Sequence, residues 1–159
     1  MEKSMDDEKY RKLGELFHEQ DIEKLKKLFL YEPWVFKVTP EYNEQYMYAE
    51  EDYNPRYLAK TDSEPGLVHP GLMLNQSLAS RTHNFRLPEN MISLQVLDEV
   101  EWVRAPRVGK TYTVTWELTD VYEKQGKRPG IVGAVTGSVV DEDNNLIMHH
   151  RMHSLLVHG

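Results

Sequence analysis

Leu67-Val68-His69-Pro70-Gly71-Leu72, continued by Met73-Leu74-Asn75-Gln76-Ser77-Leu78-Ala79-Ser80-Arg81, is the stretch on which the fold turns. Its apolar residues fall on more than one face of a helix, which predicts a substantially buried helix rather than a surface one. Pro70 suits the first helical position, where a missing N–H costs nothing, and Arg81 and His83 suit the negative C-terminal end. Small residues at Gly71, Ala79 and Ser80 allow another segment to approach closely. Asn75 reads as either a satisfied buried amide or a pocket residue, since a buried amide needs partners in both cases. His69 stands just outside the first turn of this helix.

Immediately upstream is Asp52-Tyr53-Asn54-Pro55-Arg56-Tyr57, a polar, turn-forming cluster. Before it, Thr39-Pro40-Glu41 combines a capping hydroxyl, a proline pre-set for the first turn and an acid near the positive end of the dipole. A helix over 41–51 follows, ended by Asn54-Pro55, because the residue before a proline is pushed out of the helical region. Tyr42 and Tyr46 lie one turn apart and, with Tyr53, either line one wall of a pocket or are amphipathic core residues with wet hydroxyls. The connection over 59–66 is a loop by composition. Together these pieces bring a carboxylate, an amide, a phenol and an imidazole toward a helix N-terminus, where backbone N–H groups favour negative charge.

Farther out toward the N-terminus, 34–38 reads as a strand. Apolar residues at Tyr10, Leu13, Leu16 and Phe17, then Ile22, Leu25, Leu28 and Phe29, predict two short amphipathic helices. Residues 1–33 are therefore a helical extension and 34–159 a single domain. Toward the C-terminus the pattern alternates with period two. Ile92, Leu94, Val96, Val100 and Trp102 share one face of an expected half-buried strand; Tyr112, Val114, Trp116 and Leu118 share one face of the next. Residues 131–140 are apolar on both faces, as a central strand would be, with Gly133 and Gly137 marking close packing or a bend. A hairpin turn at 141–145 leads into a last strand over 146–157.

The chain has 159 residues, 19 Lys and Arg against 26 Asp and Glu, a formal charge of -7 and no cysteine. No basic stripe interleaved with aromatics is present, which argues against nucleic acid, and the acidic balance argues against an anionic membrane surface. Disulfides and thiolate chemistry are excluded. The charged start has no apolar signal segment, so the expected location is cytoplasmic. His149 and His153 share a strand face at about 13 Å, too far apart for one metal whose ligands converge at about 2 Å. Neither a metal nor a cofactor is expected.

The pattern of an aromatic residue, Tyr46, then Asp52, Asn54 and Pro55, then His69 before the long helix, resembles that of the MaoC-like dehydratases. That family includes (R)-specific enoyl-CoA hydratases and 3-hydroxyacyl-thioester dehydratases, and the resemblance covers roughly residues 36–157. Two departures stand out: the family's catalytic histidine falls on Tyr57, and Pro70 stands where many members have glycine. The resemblance implies an α+β hot-dog fold, a curled antiparallel sheet wrapped around a central helix. It implies a hydro-lyase acting on an acyl thioester, with Asp52, Tyr57 and His69 catalytic and Tyr46, Asn54, Gly71 and Asn75 binding substrate. In this scheme Asp52 is the base, Asn54 holds water or the Asp52 loop, an N–H near Gly71 receives the thioester oxygen, and Tyr57 or His69 gives the proton. The implied partners are an acyl-CoA or acyl-carrier thioester and a second hot-dog chain, identical or not. A non-catalytic thioester-binding subunit of a heteromeric hydratase and a thioesterase are the alternatives.

Overall fold

The computed structural model describes residues 31–58, 60–61, 63–84, 91–124 and 130–158. The helices expected over 10–29 and the hairpin connection expected at 124–128 fall outside those residues, apart from Lys124 itself. Five strands and two helices make up the rest: β1 (Trp34–Lys37), α1 (Pro40–Ala49), a 3-10 turn (Pro55–Tyr57), α2 (Pro70–Asn84), β2 (Met91–Trp102), β3 (Thr111–Lys124), β4 (Gly130–Asp141) and β5 (Leu146–His158). The strands form one antiparallel sheet in the order β1-β3-β4-β5-β2. It curls around α2, the architecture that the resemblance implies.

Period-two alternation explains the inner wall of that sheet. Tyr112, Val114, Trp116 and Leu118 of β3 are buried, as are Val135 and Val139 of β4 and Met148 and Met152 of β5. They enclose Leu72 and Met73 of α2, both fully buried. Burying each such side chain is worth about 1.5–3 kcal/mol. β4 lies at the centre of the sheet, as its two-sided apolar character predicts. Gly137 of β4 lies under the Trp116 ring, where a Cβ would come within 2.9 Å of ring carbons, so its packing partner is an indole of the neighbouring strand.

β2 departs from the sequence reading. Its register shifts between Gln95 and Leu97, and one extra residue in a strand turns every later side chain to the opposite face. Ile92 and Leu94 therefore sit opposite Val157 and Leu155 on the outer face, whereas Val100 and Trp102 sit opposite His150 and Met148 on the inner one. Ile92, Leu94, Val96 and Trp102 are all exposed. The expected single apolar face is split in two.

α1 starts as expected, with the Tyr42 N–H donating to Thr39 Oγ1 at 3.2 Å. It stops sooner than expected: the last helical residue is Ala49, and Glu51 has φ 56°. A left-handed residue after the last turn ends the helix ahead of the proline. Asn54 is thereby released to cap the 3-10 turn, its Oδ1 accepting from the Arg56 N–H at 3.2 Å.

Candidate active site

Asn43, a fully buried residue of α1, builds the site. Its Nδ2 donates to the carbonyls of Tyr57 (2.9 Å) and Leu67 (3.0 Å), and its Oδ1 accepts from the His69 N–H at 2.7 Å. One amide thus fastens the end of the 3-10 turn and the approach to α2 onto α1. Sequence reasoning passed over Asn43; the available signal was an amide in the middle of an otherwise amphipathic helix, a position that needs partners if buried.

His69, 8% exposed, lies between two tyrosines, its ring centroid 5.4 Å from that of Tyr46 and 4.9 Å from that of Tyr57. Its Nδ1 accepts from the Gly71 N–H at 3.1 Å. The ring proton of the neutral imidazole is therefore on Nε2, which is 3.3 Å from Asp52 Oδ2. The other carboxylate oxygen accepts from the Asn54 N–H at 3.2 Å. Asp52 is well exposed on its far side. The Tyr57 ring is buried, and its hydroxyl accepts from Arg56 Nη2 at 2.9 Å, with the guanidinium over the ring.

Asp52, His69, Tyr57 and Tyr46 are brought together as the sequence suggested. Burial and the nearby Glu50 carboxylate push the Tyr46 hydroxyl above its ordinary pKa. Asn54 fills the loop-holding one of its two expected roles, with its backbone, while its side chain caps the following turn. Three other expectations change. The Gly71 N–H, expected to receive a thioester oxygen, is already taken by His69 Nδ1, and those of Leu72 and Met73 are turned to the His69 carbonyl. Asn75 is exposed, because the buried face of α2 runs through Leu72, Met73, Ser77 and Ser80 and leaves position 75 on the opposite side. Tyr42 and Tyr53 are likewise exposed and do not join the wall formed by Tyr46.

An apolar cavity of about 340 Å³ opens beside Tyr57 and Pro70, with Leu67, Trp102 and Pro106 in its walls and Arg56 at its side. It abuts the Tyr57 side of the cluster and is large enough for a short acyl chain.

A second polar chain, also unread in the sequence, crosses the inside of the sheet. Fully buried His150 directs Nε2 at Asp98 Oδ1, 2.6 Å away, and Nδ1 at Ser77 Oγ, 2.9 Å away. The Trp116 indole lies tilted against it, ring centroids 5.3 Å apart, and donates to Ser80 Oγ. The outer-face histidines have separate partners: His149 meets Ser138 and His153 meets Tyr122. Ser77 is fully buried, so this chain offers no nucleophile to solvent.

No protein-family profile and no curated protein matches the chain. Solved structures do. The (R)-hydratase PhaJ1 from Pseudomonas aeruginosa superposes with a TM-score of 0.64 at 12% identity, over 83% of each chain. The HadBC (3R)-hydroxyacyl-ACP dehydratase complex from Mycobacterium tuberculosis gives 0.62 at 14%, over 82% of this chain and 98% of that one. A hot-dog-like protein from Thermanaerovibrio acidaminovorans gives 0.55 at 14%, over 87% and 89%. At such identities the likeness speaks for architecture and leaves chemistry to the site itself. This chain's five-stranded antiparallel sheet curled around one buried helix, which superposes on these three structures, is the hot-dog fold.

Proposed function

We propose that the chain reversibly adds water to the double bond of a 2-enoyl thioester carried by coenzyme A or a carrier protein. The observation that carries this reading is the contact of His69 Nε2 with Asp52 at 3.3 Å. It supplies from the helix approach the imidazole that the Tyr57 position lacks. Asp52, exposed on one side, takes a proton from water as the oxygen adds to C3, and the same carboxyl returns a proton to C2. One proton leaves water and one reaches carbon, so the step balances. His69 holds the carboxylate in place through its Nε2–H. Negative charge developing on the thioester oxygen faces the Tyr57 hydroxyl, whose oxygen is held by Arg56.

The chain belongs, in this reading, to a homodimer or to a pair with another hot-dog subunit. β2 is a sheet edge of 12 residues carrying exposed Ile92, Leu94 and Val96, and an open apolar edge invites a partner strand. A cytoplasmic location accompanies it; among the described residues no helix is long and apolar enough to cross a membrane. The rival, a subunit that binds thioester without turning it over, is favoured by Tyr57 alone. Loss of enoyl-thioester absorbance with crotonyl-CoA separates the two. Turnover that falls by about 10²–10⁴ in Asp52→Asn, with the unfolding midpoint retained, is expected. Turnover unchanged in that variant removes the assignment.

A further inference from the structure

Beside the apolar cavity lies a second groove of about 460 Å³, and the two share Arg56 and Leu67. Among the described residues Arg56, Lys60 and Arg107 line it, with Glu64 as the one carboxylate. On a chain with a formal charge of -7, the described lining reverses the sign locally. The three cations are also left without a carboxylate partner among the described residues. Elsewhere, by contrast, Lys110 is held by Asp141 and Asp143, and Arg151 by Glu99. Arg56 reaches the Tyr57 hydroxyl and Arg107 the Pro65 carbonyl at 3.3 Å, both of them neutral acceptors that fix direction.

The backbone beneath these side chains is built to hold them together. The Leu67 N–H donates to the Arg56 carbonyl (2.8 Å), the Val68 N–H to that of Pro106 (2.9 Å) and the Val108 N–H to that of Gly66 (2.9 Å). Arg56 and Arg107 therefore flank one extended segment, 66–68, which runs directly into His69. Gly66 lies so close to the chain at Tyr57 and Leu58 that a Cβ would come within 2.7 Å of their backbone atoms, so only glycine lets the groove floor form.

We propose that this groove binds the phosphate of a pantetheine arm, the group shared by coenzyme A and a phosphopantetheinylated carrier protein. A guanidinium pair with an added ammonium matches a phosphate's charge and its several acceptor oxygens. The assignment rests on the acyl-thioester reading: it places the phosphate in the groove and the acyl chain in the adjoining apolar cavity, with the thioester at Tyr57 between them.

The test is calorimetric titration of the full chain with free coenzyme A, with pantetheine, and with a carrier protein in its phosphopantetheinylated and unmodified forms. The same titrations are run on Lys60→Gln/Arg107→Gln, and on Arg151→Gln as a control from the outer face. 4′-Phosphopantetheine, titrated alongside, should bind better than pantetheine, which isolates the phosphate, and whether coenzyme A or the modified carrier binds better than pantetheine or the unmodified carrier identifies the source. Binding should weaken about tenfold in the double variant, the equivalent of one or two charge-assisted contacts, and stay unchanged in Arg151→Gln. Added salt should weaken the wild type more than the variant. Lys60→Gln alone, which removes an exposed side chain, should still weaken binding about threefold if Arg107→Gln perturbs the fold. The proposal is overturned if the variants bind like the wild type, or if no phosphate-bearing form binds better than its counterpart. Because binding is read without turnover, phosphate-dependent binding by a chain that hydrates nothing would sink the hydratase reading and leave the groove standing.

Discussion

Tyr57 stands where the MaoC-like pattern has a histidine, and its surroundings give a phenol something to do. The ring is packed on His69, and the hydroxyl oxygen accepts from Arg56, which orients the O–H and favours any negative charge that it faces. A hydroxyl so held is a hydrogen-bond donor to a developing oxyanion more readily than a source of a transferred proton. Tyr57→Phe should therefore lower kcat by about 10²-fold, the usual effect of removing one such donor, while KM moves little. Arg56→Gln should lower kcat less, and in the Tyr57→Phe background should lower kcat almost no further, because its effect on kcat runs through the same oxygen; KM should rise in both backgrounds with the loss of a phosphate contact. Steady-state kinetics on the two single variants and the double would check this; additive losses would show that Arg56 and Tyr57 work separately. The sequence made Asp52, Tyr57 and His69 visible as candidates, since each is a reactive type at a turn or helix start. It did not show that the Gly71 N–H would be turned to His69 rather than to substrate. That depends on the side-chain rotation of His69, whose backbone Asn43 holds from another helix.

At the scale of elements, periodicity was legible wherever a strand kept its phase. β3 and β4 follow their patterns throughout the stretches that face α2, whereas β2 carries a bulge between Gln95 and Leu97 that residue types alone do not announce. The bulge has a structural result: it turns Asp98 inward, opposite Met152, where it meets His150. The chain Asp98, His150 and Ser77 then ties the edge strand to the middle of α2. With Nε2–H donating to the carboxylate, Nδ1 is left to accept from the Ser77 hydroxyl, and breaking either contact strands a buried polar group. Ser77→Ala and His150→Phe should each destabilise by roughly 1–3 kcal/mol. Their double variant should lose less than the two together, by about 1 kcal/mol, because each single change orphans the other's partner. Urea midpoints for the four proteins measure that coupling. Strict additivity would mean that the bond contributes nothing.

For the molecule as a whole, the two ends of the sheet are unequal. β1 has four residues, whereas β2 has 12 and carries Leu94 exposed beside Leu155. Light scattering should find a dimer, and Leu94→Lys should shift it toward monomer, since a charge on an apolar edge strand is a barrier to pairing. A monomeric wild type would require another cover for that edge. The turn between β4 and β5 is instead closed by charge. Asp141, 8% exposed, accepts there from the Asp143 N–H, from Asn145 by backbone and side chain, and from Lys110 ahead of β3. Burial pushes its carboxyl up, but the hydrogen bonds from Asn145, Lys110 and Asp143 outweigh this and hold it down at about 2. A carboxyl lowered in the folded state stabilises fully above its unfolded value near 3.8, and that contribution is lost as pH falls through about 2. Asp141→Asn should therefore have a lower urea midpoint than the wild type at about pH 6, with the gap closing between about pH 4 and pH 2 as the wild type gives up its advantage. A gap of constant size across that range would mean that Asp141 acts through shape rather than charge, and that the Lys110 contact does not fasten β3 to the β4–β5 turn.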